Sequence, residues 1–599
     1  ISPIQIDIGN FIPRAQFPQH FITENGLNFG FGPVFTMLAP VKLTRPPTAQ
    51  DRQILETALL TIEQMLPMSP LGIFTFVSYG IPYFQKLEQA GMPRQEVLAM
   101  MPKLLDRTGR ATNRPVLEEA VPGPTDVSPN NPQIKKEKFN QPVAIEQNDM
   151  LFTFRSDVQQ NLLDVLMWLN GSNKLRGAAV PSPAFKGLLQ FQAPRLQFQQ
   201  PGLPRKVAVQ NKLPYATQIN PNSPMWMGFA DQHSNASGPP PIVTFQGNAT
   251  AKLTTAKAGD YFANGCIQHL SHVILDLEQF YRLPDPTATD PFLKQGEPYR
   301  ERVQYMFRSN SQTPLSTGNA DQFTDGGGTA FVPNVFQGAT DAQANAAGQG
   351  TLNGQHRLGH NTCLQRSTRT ADGTAVHIRM DGTGFTDLDL PHGKPQPSLE
   401  FTIFMPTSEF FRQLRVNAAS LDLQESGKVD PHHNGVERFS TCTRRQNFLV
   451  PPRLHRSFPL AEALGGSATP TQTAPTQATP GQAAPTPTAP LQQPTPTQTI
   501  PGQTQPTQIG QPGQVGQTGA SPVQQIVSPA TGVNSPSPIG TLPTSPIGAN
   551  GATQGADPNL SMPTLGSGDD GDDQINALSQ IMQLLQKLLD NAGASGAGV

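Results

Sequence analysis

Three residue types at separated points of the chain could do redox chemistry together. His360 ends the stretch Gly354-Gln355-His356-Arg357-Leu358-Gly359-His360, Arg379 follows Ile378 at the end of a short apolar strand, and Asp231 ends Gly228-Phe229-Ala230-Asp231. An imidazole can ligate iron, and a carboxylate can pass a proton to and from peroxide. A guanidinium can stabilise the charge that appears as the O–O bond breaks. The order of the three along the chain carries more weight than any one of them.

Such groups need rigid elements to hold them. Leu27 to Val41 reads as a strand hairpin or extended segment. Thr48 to Met65 has apolar residues at Ile54, Leu55, Ala58, Leu59, Ile62 and Met65, which is helical spacing. Gly72 to Val77 and Met150 to Phe154 read as strands, Val158 to Leu169 as a second helix, and residues 90–145 as mostly loop. A similar unit follows: His269 to Leu277 and Leu399 to Phe404 as strands, Ser408 to Leu421 as a helix with Ser408 as N-cap, and Phe448 to Val450 as the closing strand. Two such units predict an α+β body built by duplication, with halves at 1–180 and 181–465 and a polar insertion at 286–350.

Composition changes sharply near Gly466, where Thr, Pro, Gln, Gly and Ala take over and almost no charge remains until Asp569. Residues 466–571 bury too little apolar surface to offset ordering entropy and are expected to be disordered. In 572–592, Ile575, Leu578, Ile581, Met582, Leu585, Leu588 and Leu589 share one helical face behind a run of aspartates. A helix this short is marginal alone in water, so it calls for a partner. Net charge is −2, from 42 basic and 44 acidic residues, which argues against a nucleic-acid binder. Three cysteines are too few for a disulfide framework, and no apolar run reaches membrane-spanning length. The chain begins at Ile1, which leaves both a cytoplasmic location and export behind a removed leader open.

The ordered set of segments resembles the dye-decolorising peroxidases, haem enzymes with a duplicated ferredoxin-like fold (a dimeric α+β barrel). Leu71 to Gly80 is similar to the family's early strand and turn, and Met150 to Asp157 to its next strand. Gly228-Phe229-Ala230-Asp231-Gln232 resembles the distal G-x-x-D-G motif, and Gly265 to Leu277 the strand after it. Gly359-His360 resembles the pair carrying the proximal ligand, Ile378-Arg379 the distal arginine, and Asn447 to Pro452 the closing segment. The resemblance implies one haem b per chain, ligated by His360, with Asp231 and Arg379 catalytic and Gly228, Phe229 and Arg379 against the cofactor. It implies hydrogen peroxide and small aromatic reductants as substrates, with electrons passing through Trp226, Trp168 or a surface tyrosine. Some family members are packaged in protein nanocompartments through C-terminal tails, which implies a shell, or a second copy of the chain, as partner of the terminal helix. Gln232 stands where the motif has its second Gly, Ala230 where many members place Arg, and Asn434 near the place of the proximal carboxylate. A haem-less, non-catalytic descendant acting as a binding or scaffold protein is therefore the alternative reading.

Cys266-x-x-His269-x-x-His272 has metal-ligand spacing, but on a strand these residues alternate between faces and do not converge. His432-His433 reads as an exposed loop. Gly326-Gly327-Gly328 neither follows an apolar strand nor opens a helix, so it does not read as a phosphate loop.

Overall fold

The computed structural model describes residues 2–464 apart from 25–26, 107, 184, 186, 220, 222, 228–237, 249–251, 283–286, 288–350, 353–354, 357–374, 391–392 and 420–435. The predicted insertion, tail and terminal helix lie outside the described residues.

The first half runs β1 (Phe35–Leu43), α1 (Ala49–Met65), β2 (Phe74–Tyr79), β3 (Met150–Ser156), α2 (Gln159–Leu169) and β4 (Arg195–Phe198). Thr48 starts α1 with a capping box: its side chain accepts from the Asp51 N–H while Asp51 accepts from the Thr48 N–H. Such a cap contributes about 1 kcal/mol. Leu55, Ala58, Leu59 and Ile62 then fall on one buried face. In space the strands stand in the order β4–β1–β3–β2, all antiparallel. That is the ferredoxin-like order, and the strand completing it lies beyond residue 180.

The second half repeats it with β5 (Cys266–Leu275), β6 (Ile378–Arg379), β7 (Gly382–Thr386), β8 (Gln396–Met405), α3 (Ser408–Ala419) and β9 (Ser440–Val450). The order is β9–β5–β8–β7, with β6 continuing β7 along the edge of β8. The two sheets meet at their edges through one residue pair each, Phe198 with Thr383 and Leu449 with Tyr79, which closes eight strands into a barrel. The fold is thus α+β, a duplicated ferredoxin-like barrel.

Residues 90–145 are more structured than the sequence suggests: Arg94–Met100 is helical, and Lys103–Leu105 pairs with Ala111–Pro115. These elements are too short for periodicity to reveal. Thr407, not Ser408, caps α3 by accepting from the Phe410 N–H, while the Ser408 hydroxyl accepts from the Glu118 N–H.

Alternation along the strands sorts side chains between a lumen and an outer face. Leu38, Leu151, Leu270 and Phe448, from both halves, meet in the lumen, and Gln268 bonds Ser78 and Thr153 across it. The larger apolar core lies outside the barrel, under the helices, and includes Met37, Phe152, Phe154, Ile403 and Phe411.

Candidate functional site

Arg379 is positioned by pairing with β8. Ile378 lies opposite Phe404 and packs against the lumen-side apolar cluster, so Arg379, opposite Ile403, points to the outer face. The same register puts Met380 opposite Thr402 and Asp381 opposite Phe401, so Asp381 shares the outer face with Arg379. Both side chains sit deep among neighbouring atoms yet keep part of their surface accessible. Burial lowers the Arg379 pKa against the pull of Asp381, and burial raises that of Asp381 against the pull of Arg379. A guanidinium starts so high that Arg379 stays charged at neutral pH.

Across the second-half sheet the register forms two rows on this face. Arg379, Ile403, His269 and Asn447 make one; Asp381, Phe401, Ser271 and Arg445 make the next. His269 therefore stands two strands from Arg379, about 10 Å away by strand spacing. Its Nδ1–H donates to Asn447 Oδ1 at 2.7 Å, and Ser271 Oγ–H donates to its Nε2 at 2.6 Å. Asn447 is oriented by donating to Glu118 O at 2.9 Å. The Phe411 ring of α3 stacks on the imidazole with centroids 3.3 Å apart. Burial, then the charge of Arg445, holds the His269 pKa well below the ordinary imidazole value, so the ring is neutral. A serine, a histidine and an amide in line resemble a nucleophilic triad, but all three side chains are buried under α3. With both ring nitrogens engaged, His269 cannot ligate a metal.

Behind it lies an ion-pair network. Arg445 pairs with Asp126, and Arg415 pairs with Glu437 at 2.8 Å. Lys136 Nζ donates to Glu437 O at 2.5 Å. Burial raises the Glu437 pKa, but the Arg415 charge and hydrogen bonds outweigh it and bring it down to about 2. Both described cysteines, Cys266 and Cys442, are buried, and burial pushes their thiols up, away from the reactive thiolate.

Of the predicted site residues, Arg379 alone is described; Asp231, Gly228, Phe229 and His360 lie outside the described residues, as do Ala230, Gln232 and Asn434. The residues flanking 228–237 are nevertheless held on either side of Arg379. The Trp226 indole donates to Gly384 O at 2.9 Å, and Gly238 N–H donates to His377 O at 2.6 Å. Gly238 must be glycine for that approach, because a Cβ there would lie 2.4 Å from Ala375 O. Trp168 lies elsewhere: its indole, on α2, donates to Val180 O and Pro181 O.

A family model matches residues 117–452 of this chain. The chain belongs to DUF7405, a family of unknown function. No curated protein matches it in sequence. Among solved structures it is similar to a dye-decolorizing peroxidase of Bacteroides thetaiotaomicron, at 13% identity and TM-score 0.37 over 73% of this chain and 97% of that one. The encapsulated DyP-type peroxidase of Mycobacterium smegmatis gives 10% identity and TM-score 0.39 over 71% and 95%. A dye-decolorizing protein of V. cholerae gives 12% and 0.36 over 71% and 96%. Likeness of this degree leaves the family without an assigned activity, and the fold rests on the strand order described above.

Residues that sequence reasoning missed include Asp381, whose signal was its position two after Arg379 on one strand. They also include Glu400, paired with His272 in the lumen at 2.6 Å. The latter pair is 128 positions apart and has no local signature. His269 and His272 do fall on opposite faces of β5. Among the described residues no three His, Cys, Asp or Glu side chains converge as a metal site.

Proposed function

We propose that the chain is a haem-binding peroxidase that uses hydrogen peroxide to oxidise small aromatic compounds. One observation carries the reading: Trp226 and Gly238, which flank the segment containing Asp231, are hydrogen-bonded to Gly384 and His377, on either side of Arg379 and Asp381. Asp231 follows Trp226 by five residues, a reach of at most roughly 18 Å. The partly accessible Arg379 and Asp381 would hold one side of a bound macrocycle, and the iron ligand would be His360. Haem, when bound, supplies the two-electron and one-electron redox steps.

The chain's own groups divide the remaining work. Asp231 takes a proton at its carboxylate from peroxide and returns it to the departing oxygen. Arg379 holds its charge toward that oxygen and favours ionised Asp231. Asp381 offsets the Arg379 charge and orients it. Asn434, in place of a carboxylate near His360, would leave the imidazole less basic.

Purification of the full chain with haem tests this. A Soret band that is lost in His360→Ala is expected, together with peroxide-dependent oxidation of a phenol that falls at least about 100-fold in Asp231→Ala. The seal of Phe401, Phe411 and His269 beside Arg379 favours a second reading, a haem-less binding protein of the same fold. A colourless protein that leaves the spectrum of added haem unchanged would establish that one. The terminal apolar face is assigned to docking, on a shell or a second copy. Deletion of 572–599 is expected to change oligomeric state or co-purifying protein without changing the Soret band.

A further inference from the structure

The lumen holds a second polar cluster that the proposed reaction does not use. On β8, Ser398, Glu400 and Thr402 face inward, level with Gly384, Gly382 and Leu270 respectively. His272 of β5 donates from Nδ1 to Glu400 Oε1, and Gln197 of β4 donates from Nε2 to Met380 O. All five side chains are at most 3% exposed. Yet His272 Nε2, Glu400 Oε2, Gln197 Oε1, Ser398 Oγ and Thr402 Oγ1 bond no protein group among the described residues, and nor do Nε and Nη1 of Arg195.

Each buried polar atom left unsatisfied forfeits its hydration, and a fold of ordinary stability does not carry so many such losses. Something must bond them. The charges around the cluster are already paired with one another, Arg195 with Glu146, Arg444 with Glu146 and Asp389, and His272 with Glu400, so no unpaired charge calls for an ion. The β7 glycines hold their backbone close against these groups. A methyl group added at Gly384 would already stand 2.4 Å from Ser398 Oγ, and one at Gly382 3.0 Å from Gln197 Oε1. What remains must be small, neutral and able both to donate and to accept.

We infer that the barrel lumen between Gln197, His272, Ser398, Glu400 and Thr402 is a built site for a cluster of bound water. At about three hydrogen bonds per buried water, two or three molecules satisfy the set. Gln197 and Arg195 belong to the first half, and the other four residues to the second. The water therefore bridges the seam where β4 and β7 share a single residue pair. Hydration here is part of what closes the barrel.

A crystal structure of the full chain at high resolution tests the site directly. Ordered solvent is expected within hydrogen-bonding distance of Glu400 Oε2, His272 Nε2 and Ser398 Oγ. An empty lumen, these atoms paired to one another, or a metal ion or anion in their midst would overturn the inference. Independently, water ¹⁷O relaxation dispersion counts long-lived internal water in solution. The double variant S398A/T402V is expected to hold fewer than the parent, and an unchanged number would overturn it.

Discussion

His269 and His272 stand three residues apart on one strand and live in opposite chemistries. On the outer face, His269 has both nitrogens bonded, an aromatic lid and a neutral ring fixed in one tautomer. In the lumen, His272 has one nitrogen on Glu400 and the other on no described protein group. Protein completes the bonding of the His269 ring, and solvent completes that of His272. A saturated network is costly to break, because removing one partner strands the other in low dielectric. A water-completed network is more forgiving, since water rearranges around the loss.

The largest expected effect is on the outer face. Glu437→Gln takes the nearer carboxylate from the buried Arg415 guanidinium, leaving Asp126 at 3.6 Å, and should destabilise the fold by about 3–5 kcal/mol in urea denaturation. A loss below about 1 kcal/mol would show that Asp126 suffices to hold the charge. Next comes Asn447→Leu, which strands the His269 Nδ1–H and Glu118 O; a cost of about 1–3 kcal/mol is expected. At the small end, Ser398→Ala in the lumen removes a hydroxyl with no protein partner among the described residues and should cost less than about 1 kcal/mol. If Ser398→Ala proved as damaging as Asn447→Leu, the contrast between the two faces would disappear.

Acid should separate the histidines by sign. Burial holds His269 well below 6.5, and His455, stacked on Tyr261, is brought down to about 4. For both, the unfolded chain binds the proton more readily, so stability falls as pH drops below 6.5, through about 4 for His455. His20 behaves oppositely. Burial lowers its pKa, but the hydrogen bond and charge of Asp157 outweigh that and raise it. Its contribution is complete below 6.5 and is lost as pH rises through the raised folded value. Thermal midpoints of His455→Phe between pH 7 and 4 should fall less than those of the parent. Parallel curves would mean that His455 is accessible to protons in the fold.

Much of the fold was legible because its elements obey local rules. The apolar spacing of Leu55, Leu59 and Ile62, the strand from Leu399 to Phe404 and the helix behind it all follow from periodicity. Ser408 misled as a cap because Thr407 and Ser408 are adjacent and chemically alike; packing against Glu118 decided between them. The short pieces between 90 and 145 had no period to show. Arg379 was singled out from its neighbours in sequence, and Asp381 could have been, since i and i+2 share a face of extended chain.

The sequence by itself determined where helices and strands form, that they come as a repeated unit, and which residue types could serve peroxide chemistry. Those properties depend on neighbours within a few positions. Only the tertiary structure decided that two four-stranded sheets close on each other through single residue pairs. It alone set His269 beside Asn447 and His272 beside Glu400, and tied Trp226 to Gly384 and Gly238 to His377. Strand register joins residues more than a hundred positions apart, and a shift of one residue would exchange lumen for outer face.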